Sequence, residues 1–214
     1  MKDIKSRDSK ILEGSTMLTM TVEATLVPYF QSLFQAGFIF QCEIGYSIDD
    51  LLFRQLALDR EYADKHVSTV FLDGRCVDDI SSAILKEGSI VAFSSALPGL
   101  AGATLRRGGA YACLRDSITY TVKDESVRPR EGTITIKLFI LLMGELGHVF
   151  LRKGIIVKRS TAIALLQKQH ADFWKKVRTV RLGSKTLDLS VLTKDDTFDN
   201  YGYVHISIAV ENTP

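Results

Sequence analysis

VSTVFLDGRCVDDISSAILKEGSIVAFSSALPGLAGATLRRGG, residues 67–109, is the stretch that decides the fold. Val67–Leu72 has the composition of a half-buried strand, and Asp73-Gly74 is a dipeptide typical of a tight hairpin turn. A second strand is predicted at Ser89–Ser95, and the stretch ends in Arg106-Arg107-Gly108-Gly109. The pattern therefore indicates paired strands followed by a glycine-rich segment.

The residues before this stretch add two strands and a short helix. Leu18–Val27 and Phe38–Ile44 are the predicted strands, because apolar side chains occupy alternate positions. Ser47 is the predicted N-cap of the helix, and the carboxylates of Asp49 and Asp50 favour the positive end of the helix dipole. The predicted order is strand, strand, helix, strand, strand, which is that of an α+β domain.

The second half of the chain repeats this order loosely. VRTVRLGSKTLD (177–188) matches VSTVFLDGRCVD (67–78) at a constant offset of 110, with seven positions identical or similar. Thr133–Leu142 resembles the first predicted strand, Ser160-Thr161 is the predicted cap of a second helix, and Tyr203–Val210 is the predicted last strand. Internal repetition of this kind predicts two related domains in tandem.

Three segments of the first half carry a resemblance to a known family. They are VEATLVPYFQSL (22–33), IGYSIDDLL (44–52), and VFLDGRCVDD with LKEGSIVAF (70–79 and 85–93). Over about residues 18–109 the chain resembles the small sulfur-carrier proteins of molybdopterin and thiazole biosynthesis, the MoaD/ThiS-like relatives of ubiquitin. The resemblance implies an α+β fold of two tandem β-grasp (ubiquitin-like) domains, the second divergent.

This resemblance also divides the chain. Residues 1–16 are expected to be a flexible leader, and residues 17–115 a β-grasp, sulfur-carrier-like domain. Residues 116–132, which contain Pro129 and Gly132, are the expected linker. Residues 133–214 are then a second β-grasp-like α+β domain.

The glycine pair has a chemical meaning in the resembling family, where a C-terminal Gly-Gly is adenylated and converted to a thiocarboxylate. The matching residues are Gly108 and Gly109, preceded by Arg106 and Arg107. A further 105 residues follow Gly109, so carrier chemistry here would require cleavage after that residue. Without cleavage, the same tail and the loop at Pro98, Gly99 and Gly102 are the expected partner-binding residues, since mobile loops often carry function.

Composition narrows the compartment and the chemistry. The N-terminal residues are charged and lack the apolar region of a signal peptide, which favours a cytoplasmic protein without a membrane span. The three cysteines and four histidines are widely scattered, so we expect no metal site and no cofactor. No nucleophile pattern or phosphate-binding loop is present, which favours a non-enzymatic protein.

The leading hypothesis is therefore a ubiquitin-like or sulfur-carrier-like protein-binding module, related to cofactor biosynthesis or sulfur transfer. A first alternative is an RNA-binding protein, because a basic face could contact phosphates beside the aromatic residues Phe173 and Trp174. The basic residues of that face are Arg152, Lys153, Lys158, Arg159, Lys175, Lys176, Arg178 and Arg181. A second alternative is an enzyme with a site between the two domains.

Overall fold

A computed structural model describes residues 11–122, 127–192 and 194–211 of the chain. Contacts group the residues into two compact units. Unit 1 comprises Met1–Leu33 and Gly147–Pro214, and unit 2 comprises Phe34–Leu146. Unit 2 is thus continuous in sequence, whereas unit 1 is assembled from the two ends of the chain.

Unit 2 is built on a five-stranded mixed sheet. Its strands are β2 (Phe38–Ile44), β3 (Thr69–Leu72), β4 (Arg75–Cys76), β5 (Ile90–Ser94) and β6 (Arg130–Phe139). They lie in the order β4-β3-β5-β6-β2, with β5 and β6 parallel at the centre and antiparallel pairs on both sides. One sheet face is apolar at every second position and forms the core, which includes Val91, Phe93, Ile136 and Leu138.

The helices between residues 31 and 145 are short. They are α1 (Gln31–Ala36), a π-helix (Asp50–Gln55), α2 (Arg60–His66), α3 (Gly99–Leu105), two 3₁₀ turns within Ala112–Ile118, and α4 (Leu142–Glu145). The predicted cap at Ser47 is confirmed, because the Asp50 amide donates to its hydroxyl over 3.1 Å. The Ser47 hydroxyl donates in turn to the Asp50 carboxylate over 2.8 Å, and this bond lowers the pKa of Asp50.

Unit 1 likewise contains five strands of mixed direction. Its strands are β1 (Ser15–Glu23), β7 (Ile155–Lys158), β8 (Val177–Leu182), β9 (Lys185–Thr186) and β10 (Tyr203–Glu211). They lie in the order β7-β10-β1-β8-β9, with β1 and β10 parallel at the centre. Ala24–Phe30 and Asp195–Phe198 are 3₁₀ helices. The α-helices are α5 (Gly147–Lys153), α6 (Arg159–Gln167), α7 (Ala171–Lys175) and α8 (Leu189–Leu192).

The five strands of each unit are arranged on the same plan. Each has a parallel central pair, a two-stranded hairpin on one side and a single antiparallel strand on the other. The hairpins β3–β4 and β8–β9 are the segments that match at an offset of 110 residues. The fold is therefore mixed α and β, in agreement with the predicted α+β class.

Several sequence predictions are corrected at their boundaries. The first strand covers Ser15–Glu23 rather than 18–27, because the backbone turns into a 3₁₀ helix that contains Pro28. Ser160-Thr161 does not cap the second helix, which begins at Arg159 with no side-chain cap bond.

The predicted leader and linker also contain regular structure. Ser15 and Thr16 of the leader belong to β1, and residues 1–10 lie outside the described residues. The linker includes the first residues of β6, and its residues 123–126 lie outside the described residues. The unit boundaries differ from the predicted domain boundaries because β1 pairs with β8 and β10, near the other end of the chain.

Across the described ranges, no helix is long and apolar enough to span a lipid bilayer.

Candidate functional site

The connection from β5 to β6 is described at residues 95–122 and 127–129, and these residues are here called the crossover segment. Parallel neighbours cannot be joined by a hairpin, so this segment must cross from one end of the sheet to the other. The predicted loop at Pro98–Gly109 is corrected, because most of it is the helix α3, with Pro98 at its N-cap position. Gly102 is buried there, and a Cβ atom at Gly102 would lie 1.8 Å from the carbonyl oxygen of Leu97. Gly102 therefore allows the helix to pack closely against the chain that precedes it.

The tail Arg106–Gly109 is held against the rest of unit 2 by hydrogen bonds. The Arg107 amide donates to the Ser68 carbonyl over 2.8 Å. The Gly108 amide donates to the Asp78 carboxylate, also over 2.8 Å. Gly108 has φ +61°, a conformation that glycine adopts at little cost. The tail is thus folded back onto the β3–β4 hairpin, and these bonds would have to break before it could enter a partner's active site.

Arg115 anchors the crossover segment from inside. The residue is only 4% exposed. Its guanidinium donates three hydrogen bonds, to the Thr104 carbonyl at 2.7 Å, the Thr119 hydroxyl at 2.9 Å and the Asp78 carboxylate at 2.6 Å. A buried charge is tolerated when it is paired and hydrogen-bonded in this way. Since Asp78 also accepts from the tail, one carboxylate holds both parts of the crossover segment.

Large apolar side chains of the same segment face outward. Five of them are between 42% and 68% exposed: Leu100, Tyr111, Leu114, Ile118 and Val122. Scattered exposed apolar residues are common, but here they share a segment with an arginine that is the buried residue of its own helical turns. In this segment a charged side chain is buried and apolar side chains are exposed, which is the reverse of the usual distribution. Exposed apolar side chains of this kind are typical of an interaction surface.

A groove lies on the face of the unit 2 sheet opposite the core. It has a volume of about 220 Å³ and is lined by Phe71, Ala92, Ser94, Leu97, Phe139 and Ile140. The register places Phe71 beside Ala92 and Ser94 beside Phe139, so these side chains point to one face of neighbouring strands. The groove is therefore a built feature of three strands and the two turns that follow β5 and β6.

Two features of the groove are costly to the fold. Ile140 has φ +59°, which is a strained conformation for a β-branched residue. The buried hydroxyls of Ser94 and its register neighbour Thr69 have no hydrogen-bond partner among the described residues. Strain and unpaired polar groups that persist in one region point to function there.

The predicted basic face lies in unit 1, and three of its eight cations are paired with carboxylates. Lys175 pairs with Asp172 at 2.8 Å, Arg178 pairs with Glu23 at 2.8 Å, and Arg159 pairs with Asp199. Lys176 approaches the Thr25 hydroxyl at 3.3 Å. Within the described ranges, five cations make no ion pair: Arg152, Lys153, Lys158, Lys176 and Arg181.

Of the two aromatic residues predicted beside this face, Phe173 is a core residue. It is 1% exposed, and its ring contacts those of Tyr29 and Trp174 at centroid distances of 5.3 and 5.0 Å. A buried ring cannot stack on a base.

The structure also brings together Tyr62, His66 and Glu145, a cluster that no sequence pattern predicted. The Tyr62 hydroxyl donates to the Glu145 carboxylate over 2.7 Å, and His66 Nδ1 lies 3.5 Å from the same oxygen. The Tyr62 and His66 rings are stacked, with centroids 4.6 Å apart. Burial, followed by the bond to Glu145, raises the pKa of Tyr62. Glu145 is 83 residues from Tyr62 in the chain, so only the folded sheet brings them together.

The described residues contain no group of three histidine, cysteine, aspartate or glutamate side chains placed to hold a metal ion. No family model, no curated protein and no solved structure matches this chain.

Proposed function

We propose that this protein is a non-enzymatic protein-binding module that recognises its partner through the crossover segment of unit 2. The observation that carries the proposal is the inversion around Arg115, which is buried while Leu100, Tyr111 and Leu114 face outward. A protein partner is the natural cover for such a surface, because aromatic and aliphatic side chains that become desolvated supply most of the binding energy at protein interfaces.

The hydrogen bonds that hold the crossover segment keep this surface in one conformation in the free protein. Three hydrogen bonds from Arg115 and the shared carboxylate of Asp78 fix the segment before any partner arrives. A fixed surface loses little conformational entropy on binding, and affinity improves as that cost falls. The outward side chains are thus presented on a rigid base.

RNA binding through the basic face is less well supported. Three of its eight cations are engaged by the carboxylates of Glu23, Asp172 and Asp199, which would compete with phosphates. Phe173 is part of the core.

The relation to β-grasp proteins and sulfur carriers belongs to the same proposal. The strand arrangement shared by the two units, with a helix followed by a hairpin in each, supports two β-grasp-like units. A carrier role would need cleavage after Gly109 and loss of the Gly108–Asp78 hydrogen bond. We therefore assign the tail Arg106–Gly109 to the partner-binding surface in the intact chain.

The test is affinity capture from native cells with the full chain as bait, followed by purification of the captured protein and measurement of its Kd. Leu114→Ser is compared with Val210→Ser, which removes an aliphatic side chain that is 39% exposed on β10 of unit 1. We expect Leu114→Ser to weaken the Kd at least about tenfold and Val210→Ser to leave it unchanged.

Equal affinity of both variants for the purified partner would contradict the proposal. Recovery of RNA that is released by moderate salt would favour the basic face instead. The intact mass of the native protein is measured in parallel, since a fragment ending at Gly109 would revive the carrier role.

A further inference from the structure

We propose that the groove on the unit 2 sheet binds a small neutral molecule that has an apolar body and a single hydroxyl group. The Ser94 side chain, which lines the groove, forms the hydrogen bond that recognises the hydroxyl of this ligand. The inference goes beyond the proposed function, because it assigns a small-molecule site that requires no protein partner.

An unsatisfied hydroxyl group in the groove is the observation that points to a ligand. Ser94 is 5% exposed, and its side chain projects into the groove from the same strand face as that of Ala92. Its hydroxyl has no hydrogen-bond partner among the described residues. Most buried side-chain hydroxyls in proteins are hydrogen-bonded, because an unpaired one is costly. A ligand that brings a hydrogen-bonding group to Ser94 removes this cost.

Water is a poor partner for the Ser94 hydroxyl. A buried water molecule typically makes about three hydrogen bonds, and cavities with apolar linings stay dry. The other side chains that line the groove are all apolar: Phe71, Ala92, Leu97, Phe139 and Ile140. A ligand hydroxyl is better placed than water, since the apolar body attached to it is stabilised by burial against these same walls.

The size of the groove limits the apolar body of the ligand. An engineered apolar cavity of about 150 Å³ holds a benzene molecule. The groove has a volume of about 220 Å³, so it has room for one phenyl ring with a hydroxyl group, or for an aliphatic alcohol of similar size.

The lining favours a neutral ligand. No residue that lines the groove is charged. Lys137, the neighbour of Ala92 on β6, extends over Gly37 and is not part of the lining. A carboxylate or an ammonium group would therefore lose its hydration in the groove without gaining a partner of opposite charge, and this costs far more than burying a hydroxyl.

The conformation of Ile140 supports a role for the groove in binding. Ile140 has φ +59°, which is disfavoured for a β-branched residue. Its side chain is 47% exposed, so little burial offsets the strain in the free protein. A ligand in the groove covers this side chain and adds the missing burial.

The experiment is an NMR titration of the full ¹⁵N-labelled chain with phenol, and with toluene as a probe of the same shape that lacks the hydroxyl. Phenol should shift the amide signals of Ala92, Ser94 and Ile140 in a saturable way. The absence of a saturable shift at these amides would overturn the inference. The ratio of the toluene Kd to the phenol Kd then measures what the ligand hydroxyl contributes to binding.

Two variants test whether Ser94 recognises that hydroxyl. Ser94→Ala removes the hydroxyl that lines the groove. Thr69→Val is the matched control, since Thr69 lies opposite Ser94 on β3 and its buried hydroxyl also lacks a partner in the described part of the chain, but it is not part of the lining. Both variants should fold, because each loses a hydroxyl that is not hydrogen-bonded.

Ser94→Ala should lower the ratio of the toluene Kd to the phenol Kd at least about tenfold, because the ligand hydroxyl is then buried without its partner. Thr69→Val should leave the ratio unchanged. An unchanged ratio in Ser94→Ala, or an equal fall in Thr69→Val, would overturn the inference.

Ala92→Leu tests the position of the probe. The larger side chain fills the groove and should abolish the shifts caused by phenol and by toluene. Unchanged phenol binding by a folded Ala92→Leu variant would overturn the inference, and the comparison of Ser94→Ala with Thr69→Val decides if Ala92→Leu does not fold. All titrations use the free chain, so their outcome is independent of partner capture by Leu114→Ser.

Discussion

The hairpins β3–β4 and β8–β9 share a sequence pattern and a buried face, but their outer faces differ. Val70 and Val180, at matching positions, are each 1% exposed. The amides of Val77 and Leu187 donate to the carbonyls of these two valines over 2.8 and 3.0 Å. The pattern shared at an offset of 110 residues thus produces the same backbone geometry in each unit.

On the outer face the matching residues have different surroundings. Cys76 is buried and forms a backbone β-bridge with Thr119, and its carbonyl accepts from the Tyr120 amide over 2.7 Å. Its counterpart Thr186 is exposed. Burial raises the pKa of the Cys76 thiol. The alternation of apolar and polar residues in a strand determines which face is buried in the core. Whether the other face is buried or exposed depends on the chain that packs against it.

The largest effect on stability is expected in the crossover segment, which packs on the β3–β4 hairpin. Replacing Arg115 with Ala should lower the free energy of unfolding by about 3 kcal/mol, because three hydrogen bonds are lost and a cavity forms. Arg181→Ala, on the exposed outer face of β8, should change it by less than about 0.5 kcal/mol. Urea unfolding of both variants measures the difference, and similar values would show that the crossover segment does not stabilise its hairpin.

The shared buried face is tested by Val70→Ala and Val180→Ala. Each should lower the free energy of unfolding by about 2 kcal/mol, since both side chains are fully buried. The two costs should agree within about 0.5 kcal/mol if the repeat is a structural one. Thermal unfolding measures both changes. If either substitution leaves the free energy of unfolding unchanged, the two hairpins are not structurally equivalent.

A smaller effect distinguishes two matching threonines. The Thr179 hydroxyl donates a hydrogen bond to the Thr21 hydroxyl over 2.9 Å, whereas the buried Thr69 hydroxyl has no partner within the described ranges. Thr69→Val should raise the free energy of unfolding by about 1 kcal/mol, because an unpaired buried hydroxyl is removed. Thr179→Val should bring no such gain, and destabilisation by Thr69→Val would mean that the hydroxyl is satisfied in solution.

The smallest effect concerns the aspartate that follows each hairpin. The Asp188 carboxylate accepts from the amide and the hydroxyl of Ser190 at 2.9 and 2.8 Å, and these bonds lower its pKa below the ordinary value of 3.8. Its contribution to stability is therefore present above pH 3.8 and is lost as the pH falls through the folded-state pKa.

The check on Asp188 is acid unfolding of the wild type and of Asp188→Asn. The wild type should be the more stable protein at pH 5, and the difference should shrink below pH 3.8. A difference that stays constant down to pH 2 would show that the carboxylate charge plays no part.

The hairpins, the strand at Phe38–Ile44 and the cap at Ser47 could be predicted because their signals are local. Alternation, turn glycines and capping residues act over a few positions. The partners of β1 could not be predicted, since they lie more than 150 residues away in sequence.

The candidate surface was only partly predictable for the same reason. The tail Arg106–Gly109 and Gly102 were identified from their glycines, but the helix α3 was expected to be a loop. Arg115 and Ile140 carried no signal, because burial of an arginine and a left-handed isoleucine depend on tertiary packing. The groove required the register of three strands.

The pairing of β1 with β10 has a consequence for synthesis on the ribosome. Unit 2 is complete in sequence by residue 146, so its sheet can form while the rest of the chain is still being made. β1, which is translated before unit 2, must wait for β10, and the 65 residues between 146 and 211 take about 3–13 s to translate. During that interval the apolar side chains of β1 have no final partner, which makes this nascent strand a natural client for a ribosome-associated chaperone.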